Sequence, residues 1–241
     1  TAVRAQSAGT GAKFDPILDG AGSLQTLKAV IVSLDGEEVA SRAYNGSSLN
    51  GSTNIKSASK SIVSALVGMA IDRKILEGAD QPIASVLRAD FPASPDPRLE
   101  RVTIGNLLSM QSGLARMSGP NYGRWVASRN WVRTALGSGF DGEPGGGMLY
   151  STASTHLLSA ILTKASGRPT LALARDWFKP LDGFAIGSWE RDPQGIYLGG
   201  NQMAMTARSL LAFGELYRRG GVTADGERIL SQSWIDRKSV V

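Results

Sequence analysis

The sequence predicts an α+β domain in which an antiparallel sheet is flanked by helices and joined to a further helical region. Three observations lead there. Two extended runs, the first of them β-branched, lie near the start with Asp35-Gly36 between them, a sequence of helical patterns follows, and no internal repeat or clean linker divides the chain. Strands first and helices afterwards is the order of an α+β fold, whereas a parallel α/β sheet alternates the two. With 42% hydrophobic and 20% charged residues, 241 residues suffice for a sizeable core. Residues 1–22 read as an irregular arm and 23–241 as one domain.

Each element has its own signal. Leu27–Leu34 is a β-branched apolar run and Glu38–Tyr44 a second extended one. Asp35-Gly36 suits a tight hairpin turn, because Gly accepts the positive φ it needs. Asn45–Asn54 is a Gly/Ser/Asn loop. Ser57–Arg73 reads as a long helix whose apolar positions, from Ile62 to Ile71, wrap most of its circumference, so it belongs in the centre of the protein. Pro82, Pro92, Pro95 and Pro97 mark a loop-rich stretch. Thr103–Met110 is a short helix with Thr103 as N-cap, ended by Ser112-Gly113. Tyr122–Leu136 carries Tyr122, Trp125 and Trp131 in a helix-like pattern, and Asp141–Gly147 is a flexible turn. Ser154–Ser166, stopped by Gly167, Pro169–Phe178, and Thr206–Arg219, stopped by Gly220-Gly221, complete the helices. A lone hairpin is marginal in water, so the sheet needs more strands than these.

Composition excludes several chemistries. The chain has no Cys, which removes disulfides, thiolate nucleophiles and thiolate zinc sites, and one His, which removes three-histidine and HExxH metal sites. A Ser-His-Asp triad would rest entirely on His156. The net charge of +5 comes from scattered basic residues, so a nucleic-acid partner is not expected. No apolar run approaches a membrane span of ~18 residues. Thr1–Phe14 lacks the apolar centre of a secretion signal and reads as the start of a processed or trimmed chain. No serine sits in G-x-S-x-G and no P-loop occurs.

Two segments can carry chemistry. Ser57 and Lys60 stand at i and i+3, one turn apart on the face of the central helix. Ser57 would meet the positive end of the helix dipole and its free N–H groups. A Lys walled in by apolar side chains loses affinity for its proton and can activate the hydroxyl. The alternative is a Ser N-cap followed by a surface Lys. Tyr150-Ser151-Thr152 follows the Gly-rich turn; Tyr150 either relays a proton near the pair or packs at a helix start. His156 lies inside an apolar helix (HLLSAIL), which suits a structural role.

The segments Ile55–Leu66 (IKSASKSIVSAL), Thr103–Leu114 (TIGNLLSMQSGL), Pro144–Leu158 (PGGGMLYSTASTHLL) and Gly199–Gly221 (GGNQMAMTARSLLAFGELYRRGG) resemble, in order and spacing, the serine β-lactamase-like hydrolases. The likeness runs over roughly residues 25 to 235 and is greatest to the branch of class C β-lactamases, esterases and nylon-oligomer hydrolases; SxxK is the nucleophile motif of β-lactamases and penicillin-binding proteins. The resemblance implies Ser57 as nucleophile, Lys60 as base and Tyr150 as the tyrosine of the second motif. That motif usually reads Tyr-x-Asn; Thr152 in the third place lacks the two-headed amide that grips a β-lactam side-chain amide. Tyr-Ser-Thr looks more like the esterase and nylon-oligomer-hydrolase side. Tyr122 and Trp125 could line a substrate entrance and Asn201 could face the site, with packing or turn formation as the alternative for all three.

The implied reaction is acyl transfer to Ser57 from an ester, amide or β-lactam of small size, without metal or cofactor. The rival is a penicillin-binding or penicillin-sensing protein that acylates and hardly turns over. A bacterial periplasmic or secreted setting is expected with it. The family's third motif, Lys/His-Thr-Gly on a strand beside the nucleophile helix, does not occur here. The expectation is therefore that further strands come from another segment, a partner chain or a swapped copy, and that without them the long helix would keep a wet apolar face, with self-association as a consequence.

Overall fold

The computed structural model describes residues 12–237. A 3-10 turn, Ala12–Phe14, leads into helix α1, Asp15–Ala21, so this part of the expected irregular arm is helical. Pro16 in its first turn needs no N–H partner there. Leu18 is buried and its carbonyl accepts from Tyr44 Oη at 2.7 Å, while Asp15 and Asp19 pair with Arg42. Residues 1–11 of the arm lie outside the described residues. Strands β1, Ala29–Leu34, and β2, Glu37–Ala43, pair antiparallel from Ala29↔Ala43 to Leu34↔Glu37, with a register shift at Val32/Ser33. Asp35 and Gly36 both have positive φ, 52° and 90°. That is the backbone of the tight turn expected there.

Strand β3, Thr53–Asn54, ends the Gly/Ser/Asn loop, and a 3-10 turn, Lys56–Ala58, leads into helix α2, Ser59–Asp72. The Pro-punctuated stretch holds helix α3, Ala84–Leu87, and 3-10 turns at Arg88–Asp90 and Pro97–Arg101. Helix α4, Ile104–Leu108, is capped as expected: Thr103 Oγ1 accepts from Asn106 N and Asn106 Oδ1 from Thr103 N, a reciprocal capping box. The Tyr122–Leu136 pattern is two helices, α5, Tyr122–Val126, and α6, Trp131–Leu136. Asn130 divides them, because its side chain accepts from Arg133 N and starts α6 anew. Helices α7, Thr152–Ser166, ending at left-handed Gly167, and α8, Thr170–Trp177, follow. Strands β4, Ser188–Trp189, and β5, Met203–Met205, join β3 in an antiparallel sheet of order β3-β5-β4. Helix α9, Ala207–Arg218, and the short helix α10, Gln232–Asp236, complete the described chain.

Helix α2 is the centre, as its all-round apolar pattern requires: every residue from Ile62 to Ala70 is buried. The wet apolar face expected on it is not found. Helices α7 and α8 pack against it, and Trp234 of α10 lies so close to Gly68 that a Cβ there would stand 2.6 Å from the indole. The expectation failed because it asked the hairpin to do the covering. Instead β1 packs against α9, with Ser33 Oγ donating to Glu215 at 2.7 Å. The two sheets stay separate, and a groove of about 530 Å³ runs between them, lined by Leu27, Ala29, Ile55, Met205 and Leu210 among others.

Candidate active site

Ser57 reaches the surface through a sharp turn. Ile55 N donates to Met203 O at 2.9 Å, continuing the β3–β5 pairing, and the next residue, Lys56, adopts a left-handed φ of 52° with its N–H on Asn54 Oδ1 at 2.8 Å. A non-glycine residue in that conformation costs roughly 1–2 kcal/mol, and the Asn54 side chain offsets part of it. The turn puts Ser57 in the 3-10 segment ahead of α2, two residues before the helix in which the sequence placed it begins at Ser59, and leaves it exposed.

Lys60 is fully buried one turn on. Its Nζ lies 3.3 Å from Ser57 Oγ, 2.6 Å from the Gly200 carbonyl and 5.2 Å from the centre of the Tyr150 ring. Burial pushes the Lys60 ammonium below its ordinary pKa, with Tyr150 offsetting only part of the shift. Burial alone would raise the Tyr150 phenol, but hydrogen bonding with Ser57 and the Lys60 charge outweigh it and lower its pKa. The three groups named from the sequence thus converge, and two of them, Lys60 and Tyr150, hold their protons less tightly than usual.

The Tyr150–Thr152 segment is laced to Arg116–Ser118. Arg116 Nε donates to Tyr150 O at 3.0 Å, Met117 N to Ser151 Oγ at 3.0 Å, and Thr152 N to Ser118 Oγ at 2.9 Å. Thr152 is buried and its hydroxyl pairs with Ser118 Oγ at 3.0 Å, so it braces the site and presents no free hydroxyl. Tyr122 is half-buried and its hydroxyl accepts from Asn201 Nδ2 at 3.3 Å. Trp125 is 1% exposed, with Nε1 donating to Trp131 O and its ring against His156. It belongs to the core, which corrects its place at a substrate entrance: it lies one turn beyond Tyr122 on the same helix face, with the rings 5.9 Å apart, and is the deeper of the two.

Sequence reasoning missed the part played by Gly199-Gly200. A Cβ on Gly199 would fall 2.0 Å from Thr155 O, and one on Gly200 2.4 Å from Thr155 Oγ1 and 2.9 Å from Lys60 Nζ. Only glycine lets this backbone reach the amine. The Gly-Gly pair before Asn201 was the available signal. Ser118 and Arg116 carried none, since isolated Ser and Arg are common. Among the described residues no group of three or more His, Cys, Asp or Glu is placed to hold a metal ion, and no helix is long and apolar enough to cross a membrane.

The Beta-lactamase family profile matches residues 25–239, and the chain belongs to that family. Its fold is shared by solved structures at low identity. These include a Bacillus anthracis protein assigned as a 6-aminohexanoate-dimer hydrolase (17% identical, TM-score 0.73, covering 92% of this chain and 61% of that one). The octameric penicillin-binding protein homologue from Pyrococcus abyssi is 16% identical, with a TM-score of 0.70 over 95% of this chain and 60% of that one. EstCE1, described as a hydrolase with promiscuous acyltransferase activity, is 18% identical, with a TM-score of 0.74 over 97% and 77%. A Dichelobacter nodosus sequence assigned to fimbrial assembly (FimD, serogroup H1) is 32% identical over 127 residues, 51% of this chain. The chain spans about a third of that relative's length.

Proposed function

We propose that the protein is a serine hydrolase that acts on a small ester or amide through an acyl-enzyme at Ser57. The observation that carries this reading is the buried Lys60 amine 3.3 Å from an exposed Ser57 hydroxyl, with Tyr150 beside both. Ser57 Oγ attacks the substrate carbonyl carbon while its proton passes to neutral Lys60. The tetrahedral oxyanion takes a hydrogen bond from the Ser57 N–H in the 3-10 turn that leads into α2. As the carbon–leaving-group bond breaks, the proton moves through Tyr150 to the departing oxygen or nitrogen. Water then attacks the ester by the same proton path in reverse, releasing the acid and restoring Ser57. Family membership and the hydrolases among the solved structures of the same fold support the class.

Thr152, with its hydroxyl spent on Ser118, favours esters and simple amides over β-lactams, because no side-chain amide stands at that place. Tyr122 and Asn201 are the side chains proposed to meet the substrate. A further Gly-rich strand, supplied by other polypeptide, is proposed to pair along the groove between β1 and β3 and to bring the second oxyanion donor.

The test is a panel of p-nitrophenyl esters, nitrocefin and D-amino-acid amides followed by intact mass. Ester turnover that exceeds nitrocefin turnover is expected. A Ser57 adduct that persists for hours on every substrate would favour the penicillin-binding reading, and no reaction with any would contradict both.

A further inference from the structure

His156 and Asp192 form a fully buried pair outside the chemistry above. His156 Nε2 lies 3.1 Å from Asp192 Oδ2 and neither side chain is exposed. Asp192 Oδ1 accepts from Gln194 N and Ile196 N, each at 2.8 Å, so the carboxylate is fixed in orientation as well as position. An ionised carboxylate only accepts, which puts the imidazole proton on Nε2. Nδ1 has no partner. Trp125 and Trp131 stand edge-on to the ring, both at 5.6 Å, and spend their own N–H groups on the carbonyls of Trp131 and Val126.

The segment that leaves this pair runs directly to the active site. From Asp192 it crosses α7, where Ser159 Oγ donates to Tyr197 O at 2.6 Å. Trp189 Nε1 donates to Leu198 O at 2.8 Å, and Gly199 rests on Thr155 and the Cα of His156 itself. It then presents Gly200 O to Lys60 Nζ at 2.6 Å. A buried polar or charged pair adds little net stability over apolar side chains of equal volume, and its best-attested use is to fix one register. Here the register fixed is that of the backbone holding the catalytic amine. A displacement of Gly200 by about 1 Å would take its carbonyl beyond hydrogen-bond range.

We infer that His156 and Asp192 are positioning residues for Lys60, acting through the Asp192–Gly200 segment and the Gly200 carbonyl. The inference rests on the acyl-enzyme reading of Ser57.

The experiment measures the acylation burst of p-nitrophenyl acetate, per folded molecule, for wild type, His156→Leu, His156→Gln and Asp192→Asn, across pH and well below each melting temperature. Misplacement of a catalytic group by about 1 Å costs on the order of 10²-fold, and a loss of that size is expected in His156→Leu. Asp192→Asn keeps the backbone acceptor and most of the shape, but its amide forces the imidazole proton onto unpartnered Nδ1, so it should lose rate as well. His156→Gln can still donate to Asp192 and should recover most of the rate. Losing the Gly200 acceptor disfavours the ammonium, so the acidic limb of the rate profile should move to lower pH in the impaired variants. Wild-type bursts and an unmoved limb in folded His156→Leu or folded Asp192→Asn would overturn the inference, as would a rate that falls only with the folded fraction. If His156→Leu does not fold, Asp192→Asn decides. A wild type never acylated at Ser57 would instead overturn the proposed function, and this inference with it.

Discussion

Lys60 Nζ donates to the carbonyl oxygen of Gly200, 140 residues further along the chain, at 2.6 Å. The contact orients the amine. A neutral amine has two N–H groups and one lone pair; with one hydrogen on Gly200 O, the lone pair can turn to Ser57 Oγ 3.3 Å away. Burial favours this neutral form, so the lysine proposed as base is favoured unprotonated by its burial and aimed by one backbone carbonyl.

Gly200→Ala should therefore impair chemistry more than folding. Its methyl would stand 2.9 Å from Lys60 Nζ and 2.4 Å from Thr155 Oγ1, and the acylation rate should fall by about 10²-fold. Gly214→Ala, in α9 with nothing within 4 Å, is the control. It should leave the rate unchanged and add roughly 0.5–1 kcal/mol of stability. Stopped-flow burst rates and thermal melts read both.

Lys60 also leaves a signature in stability. Its pKa is lowered on folding, so the unfolded chain binds the proton more tightly. Between the lowered folded value and the unfolded value of about 10.4, stability must rise with pH. Below the folded value the full cost of burying the charge is present. Lys60→Met removes the charge, so its stability gain over wild type should be largest at the low end of that window and shrink as pH approaches about 10.4. Urea denaturation of both proteins across that range checks the sign; a gain that grows with pH would contradict it.

Tyr150→Phe should cost a smaller factor than loss of Lys60, within the ~10²–10⁴-fold typical of acid–base assistance. The phenol's lowered pKa, set by Ser57 and Lys60 against the opposing effect of burial, suits the proton transfer proposed for it. Steady-state kcat on an ester with a poor leaving group, where protonation matters most, measures it. Wild-type kcat on that substrate would reduce Tyr150 to packing.

Trp234 closes α2 from the side that the hairpin does not reach. It is 4% exposed, its indole covers Gly68, and its Nε1 has no partner among the described residues. Trp234→Ala should destabilise by about 3–5 kcal/mol, and Trp234→Phe by clearly less, since it removes an unpaired N–H along with part of the ring. Denaturant midpoints distinguish the two.

Much of this was legible in residue patterns because those signals are local. The all-round apolar run after Ser57 marked the central helix, Asp35-Gly36 the hairpin, and Thr103 the start of α4. The β3-β5-β4 sheet was not, because strands of two or three residues are too short to display an alternation. Asn130 was a readable N-cap inside Tyr122–Leu136, masked by the aromatic spacing around it. Ser57 and Lys60 announced themselves at i and i+3. Gly200, Asp192 and Ser118 did not, since their roles depend on packing between segments that only tertiary structure brings together.

The central claim is that Ser57 carries the acyl group, and peptide mapping after treatment with a fluorophosphonate probe tests it most directly. The account predicts one adduct, on the peptide containing Ser57, absent from a folded Ser57→Ala variant and strongly slowed in Lys60→Met. Labelling that persists in Ser57→Ala, or an adduct on any other residue of the wild type, would contradict it.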